Sequence, residues 1–407
     1  MSQNTKNLIP ILRFPKFKGE WRREYIKNLA KVVGGGTPST TDDEYWNGEI
    51  NWFTPTEIKF NFVSKSKRKI TDLGLNKSSA TLLPKGTILL TTRATIGEVA
   101  IAQEECTTNQ GFQSLIVNKS NSNKFIFYLI KVYKNELYKR SNGSTFKEIS
   151  KKEIEKIKVS IPTLPEQEKI ASFLTDVDAK ITQLTKKKTL LEAYKKGIMQ
   201  KIFNQQLRFK DNNQNDFPNW EVKKLGDVAN YRRGSFPQPY GLPKWYDKEN
   251  GVPFIQVYDV DNNMLLKSTT KNKISTLGAE QSVFVKKGTL IITIQGSIGR
   301  IAKTQYDAYV DRTLLIFQSY KKPLNIDYFK YVLFLLFEIE KKKAPGGIIK
   351  TITKEVLSSF KIQIPCIEEQ TKIANFLSEI DIKIEALHTK IENAKKFKKG
   401  LLQQLFV

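Results

Sequence analysis

The sequence predicts an α+β protein built as an internal two-fold repeat: a mixed α/β segment followed by a long amphipathic helix, then both again. Three observations predict it. Residues 143–203 align without a gap on residues 346–406, at an offset of 203, with roughly two in five positions identical. The core of that match reads IPTLPEQEKIASFLTDVDAKI from Ile161 and IPCIEEQTKIANFLSEIDIKI from Ile364. Ahead of each copy lie segments that share only a skeleton, with PKGTILLTTRATIGEVA from Pro84 answering KKGTLIITIQGSIGRIA from Lys286. Within each copy, apolar residues recur every seven positions and again four later, which is the stripe of a pairing helix.

The elements follow in chain order. Residues 1 to about 13 read as a loose arm. The first globular segment, to about Ile161, alternates short apolar runs with turn signals, Gly86 before TILLTT and Gly97 before EVAIA, so it contains strands joined by tight loops. KFIFYLIKVYKNELYKR, from Lys124, places Phe125, Tyr128, Leu129 and Val132 on one helical face. From Glu166 to Phe203 the stripe runs through Ile170, Leu174, Val177, Ile181, Leu184, Leu191, Ile198 and Ile202, interrupted by Lys188 and Lys195. Pro165 suits a helix start, and such a rod extends about 57 Å at 1.5 Å per residue. LRFKDNNQNDFPNW, from Leu207, is polar and turn-rich; its LRF and FP echo LRFPKF from Leu12, so the linker opens the second unit. Strands follow at Phe254–Tyr258 and Thr289–Ile294, then a helix from Ile326 to about Lys341, with Gly346-Gly347 marking the loop before the final strand. The second stripe runs through Ile373, Leu377, Ile380, Ile384, Leu387, Ile391, Ala394, Leu401 and Leu405. The resulting domains are 1–161, 162–206, 207–364 and 365–407. Rods of this length are poorly stable alone, so the two either pair or each packs on its own globular segment; the heptads leave their direction open.

Composition narrows the chemistry. A formal charge of +26 favours a polyanionic partner, most simply nucleic acid; the plain alternative is a lysine-rich proteome. The longest apolar cluster, YVLFLLF from Tyr331, is too short to cross a bilayer and reads as a buried helix, so no membrane is expected. MSQNTKNLIP lacks the apolar core of a signal peptide, which points to the cytoplasm. One histidine, His388, and two separated cysteines, Cys106 and Cys366, cannot build a zinc cage, so no metal site is expected. His388 reads as a solvent-facing helix residue. There is no phosphate-binding GxxxxGK[ST] loop and no (D/N)PP(Y/F) methyltransferase motif. Short acidic-x-Lys strings, such as Glu57-Ile58-Lys59, arise by chance in so lysine-rich a chain. No catalytic residue, and no cofactor of this chain's own, is expected.

These residues carry a resemblance. The duplicated IPxLPEQEKIAxFL-like core, the Lys196-Gly197 and Lys399-Gly400 ends of both rods, GGGTPST followed by YWNGEINWFTP from Gly34, and VPFIQVYDV from Val252 resemble the specificity (S) subunit of a bacterial type I restriction–modification system, over essentially the whole chain. One departure is Glu368, which stands where the first copy has Pro165. The resemblance implies two target recognition domains held apart by an antiparallel coiled coil of the two rods, each reading one half of a split, asymmetric double-stranded DNA site. It implies a cytoplasmic host-defence role, two methylation (M) subunits docked on the helices and restriction (R) subunits in the complex. S-adenosylmethionine, ATP and Mg²⁺ would belong to those partners.

Base reading needs paired donors or acceptors: Arg for guanine, Asn or Gln for adenine. Arg93 and Asn109-Gln110 fall in loops beside strands of the first segment; Gln295 and Asp311-Arg312 are their counterparts in the second, with Gln256 inside VPFIQVYDV. The same residues can instead cap turns. Lys65, Lys67, Arg68, Lys69, Arg232 and Arg233 suit phosphate contacts, which position without specifying, or else form solvated basic surface. Two other classes stand beside this reading: a coiled-coil adaptor that binds protein only, and an enzyme with an unrecognised nuclease site.

Overall fold

The structure is a computed structural model that describes residues 8–143, 147–343 and 354–407, without the side chains of residues 342 and 343. It is mixed α/β, with two sheet-rich domains and two long helices, the first rod at Leu164–Phe203 and the second at Ile367–Leu405. The chain forms two compact units: residues up to Lys187 with Leu387–Val407, and Lys188–Ala386. Each rod helix therefore contributes part of its length to each unit.

In the first unit the reader has two main sheets. One is five-stranded, in the order β2 (Ala30–Gly34), β9 (Gln113–Val117), β6 (Ile88–Leu90), β7 (Val99–Ala102), β4 (Phe62–Val63). The other is three-stranded, in the order β5 (Arg68–Ile70), β3 (Trp46–Phe53), β8 (Cys106–Thr108). Strands β1 (Arg22–Tyr25) and β10 (Lys158–Ile161) pair antiparallel as a separate two-stranded sheet. The short runs ILL and VAIA are buried throughout rather than alternating, because both faces of their sheet are covered. The helix Asn123–Val132 is capped by Ser122 and buries six consecutive residues, Phe125 to Ile130. It shares a core with Trp21, with Ile170, Ala171 and Leu174 at the start of the first rod, and with Leu401, Leu405 and Phe406 at the end of the second.

The second unit repeats the plan. One sheet runs β12 (Ala229–Arg233), β19 (Leu314–Tyr320), β16 (Leu290–Thr293), β17 (Ile301–Lys303). The other runs β14 (Asn272–Ile274), β13 (Val252–Ile255), β18 (Ala308–Val310), β15 (Val283–Val285). β11 (Glu221–Lys224) pairs with β20 (Lys361–Ile364). The helix Ile326–Lys343 buries Tyr331, Val332, Leu333, Leu336 and Phe337 of the YVLFLLF run, so that cluster is a core helix. Its core also takes Met199 and Ile202 from the end of the first rod and Ile373, Ala374, Leu377 and Ile380 from the start of the second.

In each unit the beginning of one rod shares a core with the end of the other, so the rods run antiparallel. The same cores include the reader, so rod pairing and packing on a globular segment occur together. Ile170, Leu174, Ile373, Leu377, Ile380, Leu387, Ile391 and Leu401 are buried, whereas Val177, Ile181, Leu184, Leu191, Ile198 and Ile384 are half-buried. His388 is exposed.

Three expectations change. From Leu8 on, the stretch expected as a loose arm is held: Leu12 N–H donates to the Gln404 carbonyl at 2.9 Å and Arg13 pairs with Glu166 at 2.8 Å. The strand expected over Phe254–Tyr258 ends at Ile255: Asp259 Oδ2 accepts from the Gln256 backbone N–H at 2.9 Å and turns Val257–Asp259 into a 3₁₀ turn. The Gly346-Gly347 loop lies outside the described residues. Among the described residues, no helix is long and apolar enough to cross a membrane, and no His, Cys, Asp and Glu cluster could hold a metal ion. Cys106 is a buried free thiol whose pKa is pushed up to about 12 by desolvation, and Cys366 is a half-buried one.

Candidate nucleic-acid interface

Strand direction gathers the candidate readers onto one rim of each domain. In the first unit β2 and β6 both run antiparallel to β9, and β3 runs parallel to β8. The loops after β2, β3, β6 and β8 consequently emerge side by side. Backbone bonds tie them together: Gly36 N–H to the Thr108 carbonyl (2.8 Å), Thr92 N–H to Gly111 (2.8 Å) and Asn109 N–H to Phe53 (3.0 Å). The glycine run of GGGTPST exists for this convergence. A Cβ on Gly35 would lie 2.0 Å from the Asn109 carbonyl oxygen, so only glycine lets the strands close.

The second unit builds the same rim from β12, β13, β16 and β18. Ser235 N–H donates to the Val310 carbonyl (3.1 Å), Ile294 N–H to Thr313 (2.9 Å) and Asp311 N–H to Ile255 (3.0 Å). Gly234 takes the place of Gly35; its Cβ would lie 2.3 Å from the Val310 oxygen. Asn109 and Asp311 also do the same local work. Asn109 Oδ1 accepts from Gly111 N–H and Asp311 Oδ1 from Thr313 N–H, both at 2.9 Å, closing the turn into the next strand.

The side chains on these equivalent frames differ. On the first rim Arg93 and Gln110 are exposed. Arg93 Nε pairs with Glu148 Oε1 at 2.9 Å, and Gln110 Oε1 accepts from the Thr37 hydroxyl at 2.5 Å. Asn109 is half-buried and holds its turn. Lys65 and Lys67 join this rim, because β5 begins opposite the end of β3, and Lys67 N–H donates to Glu57 Oε1 at 2.7 Å. Arg68 instead lies over the Trp46 ring at 3.4 Å, and Lys69 pairs with Glu49 at 2.9 Å, so both have partners within the domain.

On the second rim Gln295 and Arg312 are exposed, and Arg232 and Arg233 end β12 beside them. Gln256, expected to reach a base, is only 7% exposed. Its amide is held by the hydroxyls of Tyr240 and Tyr258 and by Asn272 Nδ2 (2.8 Å), so it braces the loops from below. Desolvation pushes the Tyr258 pKa up to about 12 and that of Tyr240 higher still, so both phenols are neutral. Tyr240 is the rim residue that motif reasoning missed. It is 40% exposed, donates to Asp311 Oδ2 at 2.9 Å, and has the Arg312 guanidinium 5.6 Å over its ring. Its signal was its place one residue beyond residues 233–239, the counterpart of GGGTPST when Gly234 is set against Gly35.

The arrangement suits polyanion recognition. Each rim presents guanidinium and amide groups on a braced loop frame with lysines or arginines beside them, and the chain carries a large positive excess. The chain is 33% identical over 267 residues to the type I restriction enzyme MjaIX specificity subunit of Methanocaldococcus jannaschii, covering 62% of this chain and 61% of that one. It is 26% identical over 415 residues to the MjaVIII specificity subunit of the same organism, covering 97% and 93%. The fold matches the S subunit of a type I restriction–modification system from M. genitalium with a TM-score of 0.62 at 16% identity, over 98% of this chain and 99% of that one. A second solved structure, described as addressing complex assembly and conformational transition of the type I system, matches with a TM-score of 0.57 at 18% identity over 95% and 97%. The family model for the type I restriction modification DNA specificity domain matches twice, at residues 18–193 and 218–396, so the chain belongs to that family of non-catalytic DNA sequence-specificity subunits.

Proposed function

We propose that this chain reads a split, asymmetric double-stranded DNA site, one half-site per rim, and that its rods dock two methylation subunits, through which restriction subunits join the complex in the cytoplasm. The chemistry would be the partners': S-adenosylmethionine for adenine-N6 methylation, ATP and Mg²⁺ for cleavage. The observation that carries the reading is the pair of rims, which share one strand frame and one glycine close approach yet present Arg93 and Gln110 on one and Gln295 and Arg312 on the other. Different side chains at the rim of a repeated frame are what two readers of different half-sites require. Arg93, Gln110, Gln295 and Arg312 are assigned to base edges. Lys65, Lys67, Arg232 and Arg233 are assigned to phosphates, with Arg68 and Lys69 contributing charge from the first domain's flank.

The test exchanges residues 217–363 for the matching segment of a relative with a different specificity, in the complex with methylation subunits. One half-site of the methylation pattern should change and the other persist. A pattern that changes in both halves together refutes modular reading. A chain that supports no sequence-dependent methylation at all favours the protein-only adaptor.

A further inference from the structure

One of the two lysines that interrupt the first apolar stripe has a counterpart in the second, because Lys195 and Lys398 are equivalent positions of the repeat. So are Asp178 and Asp381, and Tyr128 and Tyr331. In the first unit Lys398 Nζ pairs with Asp178 Oδ1 at 2.5 Å, with side chains only 16% and 13% exposed. In the second unit Lys195 Nζ pairs with Asp381 Oδ1 at 2.5 Å. Each aspartate also accepts from a reader-helix tyrosine: Asp178 from Tyr128 at 2.8 Å and Asp381 from Tyr331 at 2.6 Å. Each lysine ammonium lies over the ring of the same tyrosine, Lys398 at 5.5 Å from Tyr128 and Lys195 at 5.1 Å from Tyr331. In the first unit Asn61, from the loop before β4, adds a bond to Asp178 Oδ2 at 2.7 Å.

We infer that Asp178–Lys398 and Asp381–Lys195 are one lock written twice, which selects the opposed direction of the rods and fastens each reader helix to them. With the rods antiparallel, each lysine in the stripe meets the other rod's aspartate. With the rods parallel and in register, equivalent positions would face each other, Lys195 against Lys398 and Asp178 against Asp381. A charged residue in an apolar stripe is a poor source of stability but an effective determinant of register and orientation. The tyrosine extends the lock to the reader, because the carboxylate that holds the lysine also holds the phenol. Asp178, Asp381, Lys195 and Lys398 are thus positioning residues. This inference is independent of what the readers bind.

The test uses the full chain and two double variants of equal net charge. Asp178→Lys alone and Lys398→Asp alone should each lower the thermal midpoint by several degrees, since each sets like charges together. The matched double, Asp178→Lys with Lys398→Asp, should regain at least half of that loss. The mismatched double, Asp178→Lys with Lys195→Asp, should regain none. Equal midpoints for the two doubles, or single variants that match the wild type, overturn the lock. Should the reversals fail to fold, Tyr128→Phe and Lys398→Met keep the ring and the apolar stem. Hydrogen exchange over residues 123–132 should then quicken several-fold in both, and unchanged protection there overturns the inference.

Discussion

Arg208→Met isolates the contact that joins the linker to the second rod. Glu369, in the first turn of that rod, is fully buried. Its carboxylate is held by Arg208 through bonds of 3.1 and 2.7 Å and by the Trp220 indole N–H at 2.9 Å. Methionine preserves the apolar stem but leaves a buried anion with the indole as its remaining described side-chain donor. Breaking a buried pair from one side costs about 3–5 kcal/mol. At about 2–4 °C per kcal/mol for a unit of this size, the thermal midpoint of the second unit should fall by roughly 10 °C. Calorimetry on the full chain, with tryptophan fluorescence as the second probe, reads this. Glu369→Gln combined with Arg208→Met removes both charges and should recover part of the loss. The first unit contains the same device, Arg13 with Glu166 at 2.8 Å and Trp21 at 3.4 Å, and Arg13→Met should cost a similar amount there. A loss below about 1 kcal/mol for Arg208→Met would show that Glu369 keeps its hydration, and the reasoning would fail.

Three further outcomes follow from the geometry. Lys131 is desolvated, and its pKa is lowered to about 8 from an unfolded value of 10.5. Between those values the unfolded chain holds a proton that the folded one has shed, so this residue makes stability rise with pH above 8; subtracting the profile of Lys131→Met from the wild type should leave that rise, and a flat difference contradicts it. Gly234→Ala would force a Cβ onto the backbone oxygens of Val310 and Asp311, at 2.3 and 2.4 Å, costing about 1–3 kcal/mol. In the complex it should weaken reading of the second half-site and spare the first, and equal loss at both halves would count against separate rims. If the rods set the distance between half-sites, four residues inserted after Leu184 add about 6 Å at 1.5 Å each, against 3.4 Å per base pair, and should lengthen the preferred spacer by one or two base pairs; an unchanged spacer removes the rods from that role.

The parts of the fold visible in the sequence were those with a period or a copy. The rods announced themselves by the recurrence of Ile170, Leu174 and Val177, and the repeat by IPTLPEQEKIASFL and IPCIEEQTKIANFL. The reasons for the repeated polar letters were hidden, because they lie in contacts between residues far apart in the chain. Gln167 holds Ser122 N–H at 3.0 Å and Gln370 holds Asn325 N–H at 2.9 Å, each fixing the start of its reader helix across 45 positions. The LRF echo marks Arg13 and Arg208, whose glutamates lie 153 and 161 residues away. Lys195 looked like an interruption of the stripe because its partner, Asp381, lies 186 residues on. The burial of Gln256 was hidden for the opposite reason. Its loop was located well enough, but whether a side chain faces out of a rim or braces it depends on Tyr240, Tyr258 and Asn272, which no local pattern connects to it.

The proposed function requires that one chain supply two independent half-site readings. Its most direct test is a methylation map made with the full chain and its methylation subunits on DNA of random sequence. Two different specified blocks separated by a gap of fixed length and unspecified sequence are expected. A single contiguous block, or two identical blocks, would contradict this reading.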